Sequence, residues 1–162
     1  MSSQAARKDA KITIERTYRA QLEDVWALWT TKDGFESWWG PQGFRVEVEE
    51  LDARVGGALR YEMIADSAEM VAAMRNMGQA TSHKVRSTFT QLKPRARLEL
   101  TNVIDFLPGV AAYDNHIAVD FSADGGQVRM LVTLEAMHSE EFSKMQLEGF
   151  TSQLTKLDQR FG

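Results

Sequence analysis

At 162 residues the chain is long enough to bury one sizeable core and too short for two ordinary domains. Its 43% apolar and 26% charged residues, with a net charge of −4, mark a globular chain with no general attraction to nucleic acid or an anionic membrane. Zero cysteines exclude disulfides, thiolate metal sites and a cysteine nucleophile, and no apolar run approaches the roughly 18 residues of a membrane span.

Residues 1–10 are polar, lack a signal-peptide hydrophobic region, and are expected to form a flexible tail before one domain spanning 11–162. Ile12, Ile14 and Tyr18 alternate with polar residues as in a strand, and the same parity carries Arg16 onto the apolar face. From Leu22 the period turns helical through Val25, Trp26 and Trp29. Thr30 to Asp33 restarts a second short helix, with Phe35, Trp38 and Trp39 on its apolar side. Helix neighbours lie about 100° apart, so only one of Trp38 and Trp39 is expected to face inward, and the other to border a cavity mouth. Gly40-Pro41 ends this helix, because proline cannot continue the hydrogen-bond ladder.

Phe44, Val46 and Val48 alternate, but Leu51, Ala53 and Val55 continue on the opposite parity. One extra residue near Glu49-Glu50 reconciles the two runs, which predicts a β-bulge. Gly56-Gly57 turns the chain into the strand of Leu59, Tyr61 and Met63. Between Asp66 and Gly78, residues Met70, Met74 and Met77 recur at helical spacing with Val71 and Ala73, predicting a short helix or an ordered loop.

Three strands follow in which His83, Val85, Ser87 and Phe89, then Leu98, Leu100, Asn102, Ile104 and Phe106, then Tyr113, Asn115, Ile117, Val119 and Phe121 share a face. They are punctuated by turns at Lys93-Pro94-Arg95, Pro108-Gly109 and Asp124-Gly125-Gly126. Val128, Met130, Val132 and Leu134 form the last strand. Beyond it, Leu147, Phe150, Leu154, Leu157 and Phe161 recur at spacings of 3 and 4, with Phe142 and Met145 extending the stripe of an amphipathic helix. Ser139 is its expected N-cap, Glu140 and Glu141 suit the positive end of its dipole, and Gly149 beside the stripe would permit close approach to a sheet. The order is strand, two short helices, about six strands and a long helix, an α+β arrangement of an antiparallel sheet around one helix.

Ile14-x-Arg16-x-Tyr18, Val25-Trp26, Trp38-Trp39-Gly40-Pro41, Arg54-Val55-Gly56-Gly57 and Gly149-Phe150 follow one another in a recognisable order. Over about residues 11–161 the chain resembles the START-like helix-grip superfamily (SRPBCC), in the branch named after the activator of the ninety-kilodalton heat-shock chaperone ATPase. The resemblance implies a curved antiparallel sheet of about six to seven strands gripping the C-terminal helix, with a hydrophobic cavity between them. Superfamily relatives include lipid carriers, plant hormone binders and polyketide cyclases, so the fold does not select among these functions.

Strand parity turns the polar residues Arg16, His83, Ser87, Asn102 and Asn115, with Tyr18 and Tyr61, toward that cavity. A buried polar group without a partner costs about 1–3 kcal/mol, so such a set either pairs internally or meets a ligand. The candidate ligand-binding residues are Arg16, Tyr18, Trp39, Tyr61, His83, Asn102 and Asn115. His83 is the histidine that parity turns inward and the single candidate general acid or base; no catalytic set is assigned. His116 falls on the opposite face and His138 precedes the helix cap, so the histidines form no metal-ligand cluster, and no metal or cofactor is expected.

The expected function is binding of a small hydrophobic or lipid-like molecule between sheet and helix. The alternatives are a cyclase-, dehydratase- or hydrolase-type enzyme, with His83 or Arg16 polarising a carbonyl substrate, and a chaperone co-regulator or other protein-interaction module. A cytoplasmic location is expected, without nucleic-acid binding or membrane insertion. The methionines of Asp66 to Gly78 suit a movable cover over the cavity, a plug in the core, or a contact in a homodimer.

Overall fold

The computed structural model describes residues 11–105 and 109–161. The predicted tail at residues 1–10, and Phe106 and Pro108, lie outside the described residues. Alternating apolar residues build seven strands: β1 (Lys11–Arg19), β2 (Phe44–Leu51), β3 (Ala58–Ala65), β4 (Ser82–Lys93), β5 (Arg97–Ile104), β6 (Tyr113–Asp124) and β7 (Gln127–Glu135). The helices are α1 (Leu22–Thr30), α2 (Lys32–Glu36), α3 (Ala68–Asn76) and α4 (Glu140–Phe161). The strands pair antiparallel in the order β1-β7-β6-β5-β4-β3-β2, and the sheet curls into a half-barrel that grips α4.

The expected bulge is present, as the β2–β3 register shifts between Val48 and Glu50. A second shift, between Phe89 and Gln91 of β4, was not foreseen; it packs Leu92 against the same core as Phe89. β2 stops at Leu51 rather than running on to Val55, which is exposed in the following turn. Gly57 closes that turn so tightly that a Cβ there would stand 1.9 Å from the Asp52 carbonyl oxygen.

Thr31 caps α2, its hydroxyl accepting from Gly34 N at 3.0 Å, as the restart pattern requires. Trp38 and Trp39 are both buried, at 1% and 6% exposure, against the expectation that one would face out. The reason is that α2 ends at Glu36, so the pair lies beyond the helix and escapes its periodicity. Trp38 Nε1 donates to the Leu28 carbonyl at 2.9 Å, and Trp39 Nε1 donates to the Tyr61 hydroxyl at 3.0 Å.

Two further expectations need correction. On α3 no residue is buried, and Met77, one position past the helix end, is 63% exposed instead of sharing a packed face with Met70 and Met74. On α4, capped as expected by Ser139, the buried residues are Phe150, Gln153, Leu154 and Leu157, with Leu147 and Phe161 partly buried. Met145 is 54% exposed, and no residue of the first ten helix positions is buried. Gly149 has no atom within 4 Å of where a Cβ would be, so it is not a point of close approach. The C-terminal half of α4 closes the core, and the N-terminal half stands over the other end of the sheet.

Candidate functional site

The concave face of the sheet is built in rows. Phe89, Leu100, Ile117 and Leu134 lie in register across β4, β5, β6 and β7 and form an apolar floor. The next row is polar, with Ser87, Asn102 and Asn115 in register across β4, β5 and β6. Ser87 Oγ donates to Asn102 Oδ1. Asn115 donates from Nδ2 to the Glu135 carbonyl at 3.2 Å and accepts from Gln146 Nε2 of α4 at 3.0 Å. The row therefore rises from the sheet to the N-terminal half of the helix. Flanking it on the inner face are Met63, Val85 and Leu147, apolar yet only half-buried, so this end of the interior is less tightly closed.

Arg16 and Tyr18 of β1 both reach Asp158 of α4: Arg16 Nε donates to Oδ1 at 3.2 Å and the Tyr18 hydroxyl to the same oxygen at 2.9 Å. Burial first, and then the Asp158 carboxylate, push the Tyr18 phenol well above its usual range. These two candidates bind the helix itself. Tyr61, opposite Val85 in register, is buried beneath Phe35 and Trp39, and burial raises its phenol in the same way. His83 faces the same side, in register with Met63, and desolvation lowers its affinity for a proton, favouring the neutral imidazole.

Sequence reasoning missed the polar residues of α4. Gln146, Phe150, Gln153 and Leu157 follow one another at spacings of 4, 3 and 4, so both glutamines lie on a core-facing stripe; that was the available signal. Gln153 Oε1 accepts from Gly40 N at 3.0 Å. That bond fixes which end of the amide is the NH2, and Nε2, like Trp29 Nε1, is fully buried with no partner among the described residues. The same half of α4 is latched to the segment after α2: Ser152 Oγ accepts from Gln42 N at 3.0 Å, and Lys156 Nζ donates to the Phe44 carbonyl at 3.2 Å.

His116 lies on the outer face, as its parity requires, with Nδ1 2.8 Å from Thr101 Oγ1. It lines a shallow depression of about 290 Å³ with Lys11, Glu99 and Glu135, apart from the interior. His138 Nδ1 is 2.8 Å from the Tyr113 hydroxyl. Among the described residues no group of three or more metal-ligating side chains converges, and no helix is long and apolar enough to cross a membrane.

A family model described as Activator of Hsp90 ATPase homolog 1-like protein matches residues 19–162. Solved structures of similar fold include a protein from Chromobacterium violaceum, 23% identical with a TM-score of 0.74, covering 91% of this chain and 93% of that one. The AHSA1 protein from Silicibacter pomeroyi is 22% identical with a TM-score of 0.71, covering 91% and 94%. An AHSA1-like protein from Aeromonas hydrophila is 18% identical with a TM-score of 0.63, covering 93% and 94%. At these identities the likeness is one of fold. No curated protein matches the sequence.

Proposed function

Because the chain belongs to the family of Activator of Hsp90 ATPase homolog 1-like proteins, we propose that residues 11–162 act as one helix-grip domain that binds a small, largely hydrophobic molecule between its sheet and α4. One observation carries this: none of the first ten positions of α4 is fully buried, while the sheet face on that side presents a polar row among half-buried apolar side chains. Ligand sites are mostly apolar with a few convergent polar groups, and this end of the interior has that composition. The ligand body lies against Met63, Val85 and Leu147, and its polar end meets Asn102 and His83. Asn115 and Gln146 hold the helix above it, while Arg16 and Tyr18 anchor the helix at its far end. Trp39 and Tyr61 wall the inner limit of the site. A cytoplasmic location is part of this proposal.

A second function, a cyclase- or hydrolase-type enzyme acting on a carbonyl compound in the same interior, is favoured by His83, an inward imidazole that burial keeps neutral and able to take a proton.

Native mass spectrometry of the purified protein tests binding directly. The expected result is a co-purifying small molecule that is lost on substituting Asn102→Leu together with Val85→Trp. Protein that carries no added mass, and whose melting temperature is unmoved by fatty acids and isoprenoids, would sink the binding function.

A further inference from the structure

A second recess lies outside the interior, on the outer face of the sheet. Along β6 the outward residues are Asp114, His116, Ala118 and Asp120, so one small side chain stands among longer ones. Ala118, 8% exposed, forms the floor of the resulting depression of about 290 Å³, near the low end of the size of small-molecule sites. Glu99 of β5 and Thr133 of β7 flank Ala118 in register. Glu135, the next outward residue of β7, turns its Oε1 to His116 N at 3.3 Å.

His116 begins a chain of hydrogen bonds in which every proton can be assigned. The Glu99 carboxylate only accepts, so the single Thr90 hydroxyl proton goes to it, with Oε1 at 2.8 Å. The 3.0 Å contact between the Thr90 and Thr101 hydroxyls must then use the Thr101 proton. Thr101 has no proton left for His116, and its 2.8 Å contact with Nδ1 requires the imidazole to donate. Neutral His116 is therefore protonated on Nδ1 and keeps its lone pair on Nε2. A chain that ends in a carboxylate also strengthens that lone pair as an acceptor, because each bond polarises the next.

The walls of the depression are thus two carboxylates and an imidazole with a lone pair. Arg97 lines it too, but its guanidinium is committed to Asp120 through bonds of 2.8 and 2.7 Å and to Gln91 at 2.9 Å. Lys11, exposed and opposite Glu135 in register, is the chain's own competitor for these acceptors. A bare metal ion needs ligands converging at about 2.0–2.5 Å, and among the described residues no three ligating side chains do so. Glu99 and Glu135 instead stem from strands with β6 between them, about 10 Å apart at the backbone. That span suits a molecule with a cation at each end.

We propose that this depression is a second binding site, for a small organic dication of the diamine class. One ammonium group is held by Glu135 and the His116 imidazole, and the other by Glu99. The site stands apart from the interior and does not rest on the binding function proposed above.

The test is a titration of the full-length, nitrogen-15-labelled protein with putrescine at about pH 8, where an ordinary imidazole is neutral, followed by NMR. Without ligand, the His116 ring nitrogens are expected to show the proton on Nδ1. Putrescine should shift Nε2 and the amides of Ala118 and Thr133 saturably. Butylamine, with one charged end, should bind about tenfold more weakly, and the diol analogue of putrescine should leave these signals unmoved. Glu99→Gln and Glu135→Gln should each reduce putrescine to the level of butylamine, and Lys11→Met should strengthen it. Thr101→Val, which breaks the chain of hydrogen bonds, should release the His116 proton to Nε2 and weaken putrescine, while Thr101→Ser restores both. Putrescine binding no tighter than butylamine, equal shifts with the diol, or a parent His116 protonated on Nε2 would each overturn the assignment.

Discussion

The Tyr18 hydroxyl of β1 donates a 2.9 Å hydrogen bond to Asp158 of α4, joining residues 140 positions apart. Arg16, two residues earlier on the same face of β1, donates to the same carboxylate oxygen at 3.2 Å. One carboxylate thus ties the last turns of the long helix to an edge strand of the sheet, at the end opposite to the half-buried apolar face.

Asp158→Ala is expected to destabilise the fold by about 1–3 kcal/mol, chiefly because it leaves the buried Tyr18 hydroxyl without an acceptor. The Arg16 pair adds little, since its side chains are 30% and 38% exposed and screened by solvent. Urea denaturation of Asp158→Ala, Tyr18→Phe and the double variant reads this out. The double variant should lose much less than the sum of the single ones; strict additivity would show that the two groups do not interact.

The two halves of α4 should respond differently to truncation. Leu154→Ala opens a cavity under the helix and is expected to cost about 2–5 kcal/mol. Met145→Ala, at an exposed position, is expected to stay within about 0.5 kcal/mol of the parent. Equal losses would mean that the N-terminal half of the helix is packed as tightly as the C-terminal half.

Gly149→Ala is expected to stabilise the protein by about 0.5–1 kcal/mol, because alanine restricts the unfolded chain and suits a helix interior better. Nothing lies within 4 Å of the added methyl group to oppose it. A fall in melting temperature would show that this side of α4 needs the space.

His83 sets a pH dependence. Burial lowers its folded-state pKa below the ordinary 6.5, so the neutral imidazole is the form the fold favours. Its contribution is complete above 6.5 and is lost as pH falls toward the folded-state value, because the unfolded chain takes up the proton first. Denaturation midpoints measured across that range should decline on acidification, and less steeply in His83→Gln. Identical slopes would show that His83 is as free to protonate in the fold as in the unfolded chain.

What the sequence by itself determined is the local pattern. Period-two alternation directed Arg16, Tyr18, Asn102 and Asn115 to one side of the sheet, the parity break at Glu49-Glu50 located a bulge, and Ser139 marked the start of α4. These are legible because a strand's alternation, a helix's turn and a cap depend on residues within a few positions of each other.

Only the tertiary structure decided which partner each of these groups meets. Arg16 and Tyr18 have a carboxylate waiting on a helix at the far end of the chain, and both bond it. Trp38 and Trp39 both turn inward because α2 stops at Glu36, so helical spacing no longer separates them. Leu147 and Leu154 belong to the same stripe in sequence, but only the second is fully buried. Such outcomes depend on strand register and helix placement summed over the whole sheet. No window of neighbouring residues contains that information.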